Sequence, residues 1–226
     1  MDKTMHEILI VDDEADIREI LTFNLENAGY ATLQAASPAE ALSRITPSTD
    51  LILLDVMLPC MSGFQLADML RKERGLTTPI IFLTARSSEN DLLTGFSAGG
   101  DDYITKPFSI NEVLARIKAV IKRSSMATNS SKEIRIGDLR IDTKAKSVFL
   151  NDDSIELTFK EYEILELLAR RKGSYLTRTD IIAELWKDAP YVVDRTVDVH
   201  IARLRTKLGK CRDLIESRTG YGYIIR

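Results

Sequence analysis

LILLDVMLP, residues 51–59, runs through four aliphatic side chains, then Asp55, then three more apolar residues and a proline. A continuous apolar run of this length, bounded by a turn former, reads as a strand buried on both faces, as in a parallel sheet. An aspartate at the end of such a strand is costly to bury for packing alone. Three other apolar runs end in the same way: EILIV (7–11) in Asp12-Asp13, PIIFL (79–83) in Thr84, and DDYIT (101–105) in Lys106-Pro107. In an open parallel sheet, ligands bind outside the carboxyl ends of the strands, at the point where the strand order switches. Acid, acid, hydroxyl and amine at four strand ends therefore point to one pocket for a divalent metal and a phosphoryl group.

The pattern around these runs alternates. Strands are predicted near 7–11, 30–35, 51–55, 79–84 and 102–105, and helices near 14–28, 38–46, 63–73, 88–97 and 110–123. In the first helix, Ile17, Ile20, Leu21 and Leu25 recur on one face and Gly29 follows as a stop. Five βα units without a glycine-rich phosphate loop predict an α/β doubly wound, flavodoxin-like domain over 1–123. SSMATNSSK, residues 124–132, is small, polar and aperiodic, and is expected to be a flexible linker spanning roughly 15–18 Å.

Beyond it, IRIGDLRID, KSVFL and SIELT read as strands, with NDD as a turn. Thr158-x-x-Glu161 is a capping box that opens a helix; Thr177 and Asp180 repeat the spacing for a second, and a third begins near Asp194. The chain ends in LIESRTGYGYIIR, a hairpin with glycines for the tight turn. Residues 133–226 are thus expected to form an α+β winged helix-turn-helix domain.

Charge follows the same division. Residues 1–123 carry 12 Lys+Arg against 18 Asp+Glu, a net of −6; the remainder carries 19 against 16, a net of +3. An acidic half joined to a basic half suggests two functions. Composition, 44% hydrophobic and 29% charged, argues against wholesale disorder. No apolar stretch approaches the ~18 residues needed to cross a bilayer. MDKTMHE leads straight into a strand without a signal-peptide core, so a cytoplasmic location is expected. Cys60 and Cys211 lie far apart and read as reduced thiols.

Asp12, Asp13 and Asp55 are hard oxygen donors, suited to Mg²⁺, and a carboxylate can also accept a phosphoryl group as an aspartyl phosphate. Catalysis of such a transfer is mostly positioning and charge neutralisation, for which Lys106 and the Thr84 hydroxyl are placed. Taken singly, each has a plainer explanation: a turn or cap aspartate, a helix-capping threonine, a solvated lysine, loop acids at Asp101-Asp102. Their order at successive strand ends favours the pocket.

ILIVDDE, LILLDVMLPCMSGF, IIFLTAR and GGDDYITKPFS together resemble the receiver domain of bacterial response regulators, over essentially all of 1–123. The resemblance implies that Asp55 takes phosphate from the phosphohistidine of a sensor histidine kinase. It implies that Asp12, Asp13, Asp55 and the backbone carbonyl of Met57 hold Mg²⁺, and that Lys106, before a cis Pro107, contacts the phosphoryl oxygens. Thr84 and Tyr103 match the switch pair, the hydroxyl moving to the phosphoryl group while the ring turns inward. Such a receiver promotes its own phosphorylation and dephosphorylation and is not a turnover enzyme.

In DRTVDVHIARLRTKLGK, Val197, Ile201, Leu204 and Leu208 fall on one face of a helix and are predicted to face the core. Arg195, Val199, Ala202, Arg203 and Thr206 lie opposite, where arginines can read guanine or grip phosphate and methyls can meet thymine. His200, Arg205 and Lys207 flank this face, in reach of phosphates. With LTFKEYEILELLA and the terminal GYGY, this helix makes 133–226 resemble the effector domain of OmpR/PhoB-family regulators. The resemblance implies a third helix in the major groove, with Thr196 also at the DNA, and a wing, here Arg218 and Thr219, reaching the minor groove. It further implies a tandem dimer on direct-repeat promoter half-sites, and contact with RNA polymerase through the loop Trp186–Val193.

Three features depart from that pattern. Ala202-Arg203 stands where the family often has two arginines, and Thr219 where the wing usually has one. At the receiver dimer face, Asp102, Glu112, Arg116 and Lys118 remain, with Asp102–Arg116 expected as a cross-subunit pair, but Leu92 and Ser97 occupy positions of expected charged partners. Two other functions are open on sequence grounds. An aspartyl-phosphate phosphatase would have a second acid where this chain has Met57. A regulator indifferent to phosphorylation would fit the reduced dimer face but not the intact acidic pocket.

Overall fold

Five parallel strands in the order β2-β1-β3-β4-β5 build the first sheet: β1 (Glu7–Val11), β2 (Ala31–Ala35), β3 (Thr49–Asp55), β4 (Ile80–Thr84) and β5 (Asp102–Thr105). Around them lie α1 (Ala15–Asn27), α2 (Pro38–Arg44), α3 (Gly63–Glu73) and α4 (Ile110–Ser125). The computed structural model describes residues 5–85, 98–125, 133–186 and 192–226. The helix expected near 88–97, Leu92 and Ser97 within it, and most of the expected linker lie outside the described residues. The chain separates into two units, Met1–Ser125 and Met126–Arg226.

The strand order places the pocket. It reverses between β1 and β3, which pair directly with Val11 opposite Leu54, so Asp12 and Asp55 emerge side by side. β4 sets Leu83 against Asp55, and β5 sets Thr105 against Thr84, so Thr84 and Lys106 continue the row. Residues 8–11, 51–55 and 80–84 are buried throughout, as a sheet covered on both faces requires. Gly63 begins α3 hard against the end of β3: a Cβ there would lie 2.1 Å from the Asp55 carbonyl oxygen, so only glycine lets the helix start so close to Asp55.

One helix face differs from expectation. In α1, Leu21 and Leu25 are buried and Ile17 is half-buried, but Ile20 is 53% exposed, next to Phe23 at 68%. Ile20 belongs to an outward apolar edge and not to the core stripe.

The second unit opens with an antiparallel meander: β6 (Glu133–Ile136), β7 (Leu139–Asp142), β8 (Ser147–Leu150) and β9 (Asp153–Ile155). The run IRIGDLRID divides into two strands at Gly137, which adopts φ 57°. Asn151 and Asp152 both take positive φ between β8 and β9, the backbone of a hairpin turn whose twist suits the flanking strands. Three helices follow: α5 (Phe159–Arg170), α6 (Arg178–Leu185) and α7 (Asp194–Leu208). Both expected capping boxes form, Thr158 with Glu161 and Thr177 with Asp180. After a short 3₁₀ turn, β10 (Ile215–Arg218) and β11 (Gly222–Ile225) close the chain as an antiparallel hairpin. Val197, Ile201, Leu204 and Leu208 are buried as predicted and pack into one core with Ile164, Leu168, Ile181 and Tyr223. Each such aliphatic side chain contributes about 1.5–3 kcal/mol by leaving water.

Candidate functional site

The acidic pocket stands at the carboxyl edge of the first sheet. Asp12 is fully buried, Asp55 is 2% exposed and Asp13 reaches solvent. One ligand oxygen from each lies within 4.8 Å of the others. Lys106 crosses this cluster: its Nζ lies 2.9 Å from Asp12 Oδ2, 3.0 Å from Asp55 Oδ2 and 3.4 Å from Glu14 Oε1. Burial pushes the Asp12 carboxyl above its ordinary value, against the pull of Lys106. Burial alone would lower the Lys106 ammonium, but its hydrogen bonds to Asp12 and Asp55 prevail and hold it above the usual lysine value. The ammonium is therefore charged, and three hard oxygens converge on a place that already favours positive charge. That donor set fits Mg²⁺, which needs only two or three protein oxygens and keeps water for the rest.

Backbone groups fix the rest of the pocket. The amide of Met57 donates to Asp55 Oδ1 at 3.2 Å, that of Glu14 to Asp12 Oδ1 at 3.0 Å, and Arg18 Nη1 donates to the Asp12 carbonyl at 2.7 Å. The Met57 side chain is half-exposed at the rim. Thr84 is buried, and its carbonyl accepts the Lys106 amide at 2.7 Å, just before the cis Lys106–Pro107 peptide. Tyr103 is 2% exposed, its ring turned inward with its centroid 5.2 Å from Phe82 and 6.5 Å from Phe64.

The charges expected at the dimer face also interact within one chain. Asp102 and Arg116 are both nearly buried and pair within one chain, and Arg116 also donates to Glu112, one helical turn back, at 3.0 Å. Three of the four charges expected to reach across subunits are thus used internally, while Lys118 is exposed. Asp101, one of the plain loop acids, also proves structural. Its carboxylate accepts the Ile80 amide at 2.9 Å and pairs with Arg71 at 3.0 Å.

In the second unit, α7 and the hairpin form the candidate nucleic-acid face. Arg195, Thr206, Arg218 and Thr219 are exposed, and Val199 and Arg203 are half-exposed. Two expected contacts are contradicted: Thr196 and His200 are each 1% exposed, inside the domain, with the His200 ring 5.7 Å from that of Trp186. A step of three residues from Val197 keeps His200 on the core side of the helix. Arg205 is partly committed, donating from Nε and Nη2 to the Ile215 carbonyl at 3.2 and 2.7 Å at the base of the hairpin. Lys207 pairs with the Glu161 carboxylate at 2.7 Å.

Three residues that sequence reasoning passed over lock this face. Asp198 on α7 accepts from Arg178 Nε at 2.7 Å and from the Tyr223 hydroxyl. Burial, then Asp198, push the Tyr223 phenol up to about 12. The alternation of the last strand could have flagged Tyr223 as inward. Nothing in the string pairs Asp198 with Arg178. Trp186, at the near end of the loop expected to meet RNA polymerase, is also buried, with Lys160 Nζ 4.7 Å over its ring; residues 187–191 of that loop lie outside the described residues.

Comparison with known proteins supports both halves. Residues 8–118 match the response regulator receiver domain, and residues 152–225 match the family described as transcriptional regulatory protein, C terminal. The alkaline phosphatase synthesis transcriptional regulatory protein PhoP of Bacillus subtilis is 42% identical over 210 residues, 89% of this chain and 87% of its own. The phosphate regulon transcriptional regulatory protein PhoB of Pseudomonas aeruginosa is 42% identical over 219 residues, 96% of this chain and 95% of its own. Among solved structures, the response regulator DrrB, an OmpR/PhoB homolog from Thermotoga maritima, aligns over 98% of this chain and 99% of its own, at 33% identity and a TM-score of 0.52.

Proposed function

Because the chain belongs to the OmpR/PhoB family of response regulators, phosphorylation-dependent regulators of transcription, we propose that Asp55 is the phosphoacceptor and that its charge state controls promoter binding by the second unit. The observation that supports this most is the meeting of Asp12, Asp13, Asp55 and Lys106 at the switch point of the sheet. An Asp55 carboxylate oxygen forms the new P–O bond as the P–N bond to the histidine of a sensor kinase breaks. Mg²⁺, held by Asp12, Asp13, Asp55 and the Met57 carbonyl, supplies charge neutralisation when bound. Lys106 leaves its pairing with Asp55 to meet the phosphoryl oxygens. Thr84 and Tyr103 form the switch pair, and the inward Tyr103 ring is the conformation that goes with the phosphorylated receiver.

Phosphorylation then shifts a pre-existing equilibrium toward a homodimer, which raises the local concentration of two DNA-binding units on direct-repeat half-sites. The receiver is assigned to about 1–123 and the DNA-binding domain to 133–226, with α4 running on to Ser125 at the start of the expected linker. Arg195, Val199, Arg203 and Thr206 face the major groove, and Arg218 and Thr219 the minor groove. RNA polymerase meets the loop after α6, with Trp186 as its buried anchor. Work on kinase and promoter implies the cytoplasm, and no described helix is long and apolar enough to cross a membrane. The receiver promotes its own phosphorylation and hydrolysis without turnover of external substrates. Asp55→Ala is expected to abolish phosphodonor-enhanced DNA binding; enhancement unchanged in that variant would sink the proposal.

A further inference from the structure

At the tip of the wing, beside Thr219, the structure shows a fixed arrangement of side chains. Tyr221 is 52% exposed, the one large hydrophobic residue of the described second unit that is. It is nevertheless held in place. Its amide donates to the Arg218 carbonyl at 3.0 Å, closing the turn. Gly220 and Gly222 on either side take φ 79° and 96°, which a side chain would resist. Gly222 also packs so tightly that a Cβ would lie 2.0 Å from the Leu176 carbonyl oxygen. The ring rests on that of Tyr175, centroids 5.8 Å apart. Arg218 lies over the ring, its guanidinium carbon 4.3 Å from the centroid.

A guanidinium stacked on an aromatic ring engages through its face and keeps its N–H edges for other acceptors. The ring of a tyrosine is flat and stiff, with few rotamers to lose on binding, and its hydroxyl remains a hydrogen-bond donor. An exposed aromatic held against a second ring and carrying an arginine is poorly explained by folding, since nothing in the core needs it. It suits a sugar–phosphate backbone, which offers apolar deoxyribose faces beside anionic oxygens.

We propose that Tyr221 is a DNA-contacting residue of the wing, its ring lying against deoxyribose and presenting Arg218 to the adjacent phosphates. Tyr175 is a positioning residue that braces the ring from the body of the domain. The inference rests on the placement of the DNA face on α7 and the hairpin. The contact is independent of base sequence, so it adds affinity more than discrimination.

The test is binding of the full chain to a random-sequence duplex pool over a range of salt concentrations. Tyr221→Ala is expected to weaken binding by roughly 3- to 10-fold and Tyr221→Phe far less. Arg218→Ala should lower the salt slope by about 1 in the wild-type background. In the Tyr221→Ala background it should matter less, because the arginine has lost its support. Tyr175→Ala should weaken binding in the same direction, with Trp186 fluorescence confirming that the domain still folds. Wild-type affinity and slope in Tyr221→Ala, while Arg195→Ala still weakens binding, would overturn the inference alone. If Arg195→Ala and Arg203→Ala are also silent, the placement of the DNA face fails with it.

Discussion

Arg116 donates to both carboxylate oxygens of Asp102, at 3.2 and 3.3 Å, inside a single receiver. The pair is buried, so it acts on folding before it can act on association. Removing Arg116 strands a buried carboxylate, at a cost on the order of 3 kcal/mol. Arg116→Ala should therefore shift the urea unfolding of the first unit, followed by circular dichroism, while Trp186 fluorescence reports an unchanged second unit. Unchanged stability with a weakened dimer would restore the pair to the subunit interface.

Lys106 is expected to compete with the metal. Its ammonium pairs with two of the three carboxylates that would hold Mg²⁺. Lys106→Ala should thus raise Mg²⁺ affinity, by about tenfold, in calorimetric titration of the unphosphorylated protein. The same variant should take up phosphate more slowly, since no ammonium then meets the phosphoryl oxygens beside the metal. Weaker Mg²⁺ binding in Lys106→Ala would show that the lysine organises the acids and does not compete for them.

His200 and Arg203 sit three residues apart on α7 and should behave in opposite ways. His200 is buried against Trp186, so His200→Ala should lower the stability of the second unit and leave the salt slope of DNA binding unchanged. Arg203→Ala should keep the stability and weaken binding. Thermal unfolding and a salt series on each variant separate the two; a reduced salt slope for His200→Ala would return it to the DNA face.

Tyr223 gives the second unit a sensitivity to base. Burial and Asp198 raise its phenol from 10.0 to about 12, so the folded state keeps a proton that the unfolded chain has released. The contribution is fully present below pH 10 and is lost as pH rises to about 12, on the order of 2 kcal/mol. Urea unfolding across that window, read by Trp186 fluorescence, should fall more steeply in the wild type than in Tyr223→Phe. Equal slopes would show that the Asp198 contact carries no such linkage.

The strand ends were legible from sequence because burial and chemistry conflict there. Asp55 after LILL and Asp12-Asp13 after EILIV have no packing reason to exist, and the parallel order of the sheet brings them together. Capping boxes at Thr158 and Thr177 were legible because both partners lie within four residues. The failures share a different cause. Asp198 with Arg178 and Tyr223 joins residues on separate elements, and a string records no distances between elements; Asp102 with Arg116 was legible as a pair, but not that it closes within one chain. His200 is hard to place from sequence because helical spacing grades continuously from core to surface, and the deciding contact comes from Trp186, just past the end of α6. Lys160 was passed over for the same reason: its charge suggested solvent, yet it is buried, pairing with Glu163 and donating to the Leu185 carbonyl.

The most direct measurement treats the full chain with a small phosphodonor in Mg²⁺ and follows mass, association state and DNA affinity together. One added phosphoryl group on Asp55, a shift from monomer to dimer, and tighter DNA binding are expected, all three absent in Asp55→Ala. Phosphate taken up on Asp55 with neither dimerisation nor tighter binding would contradict that expectation.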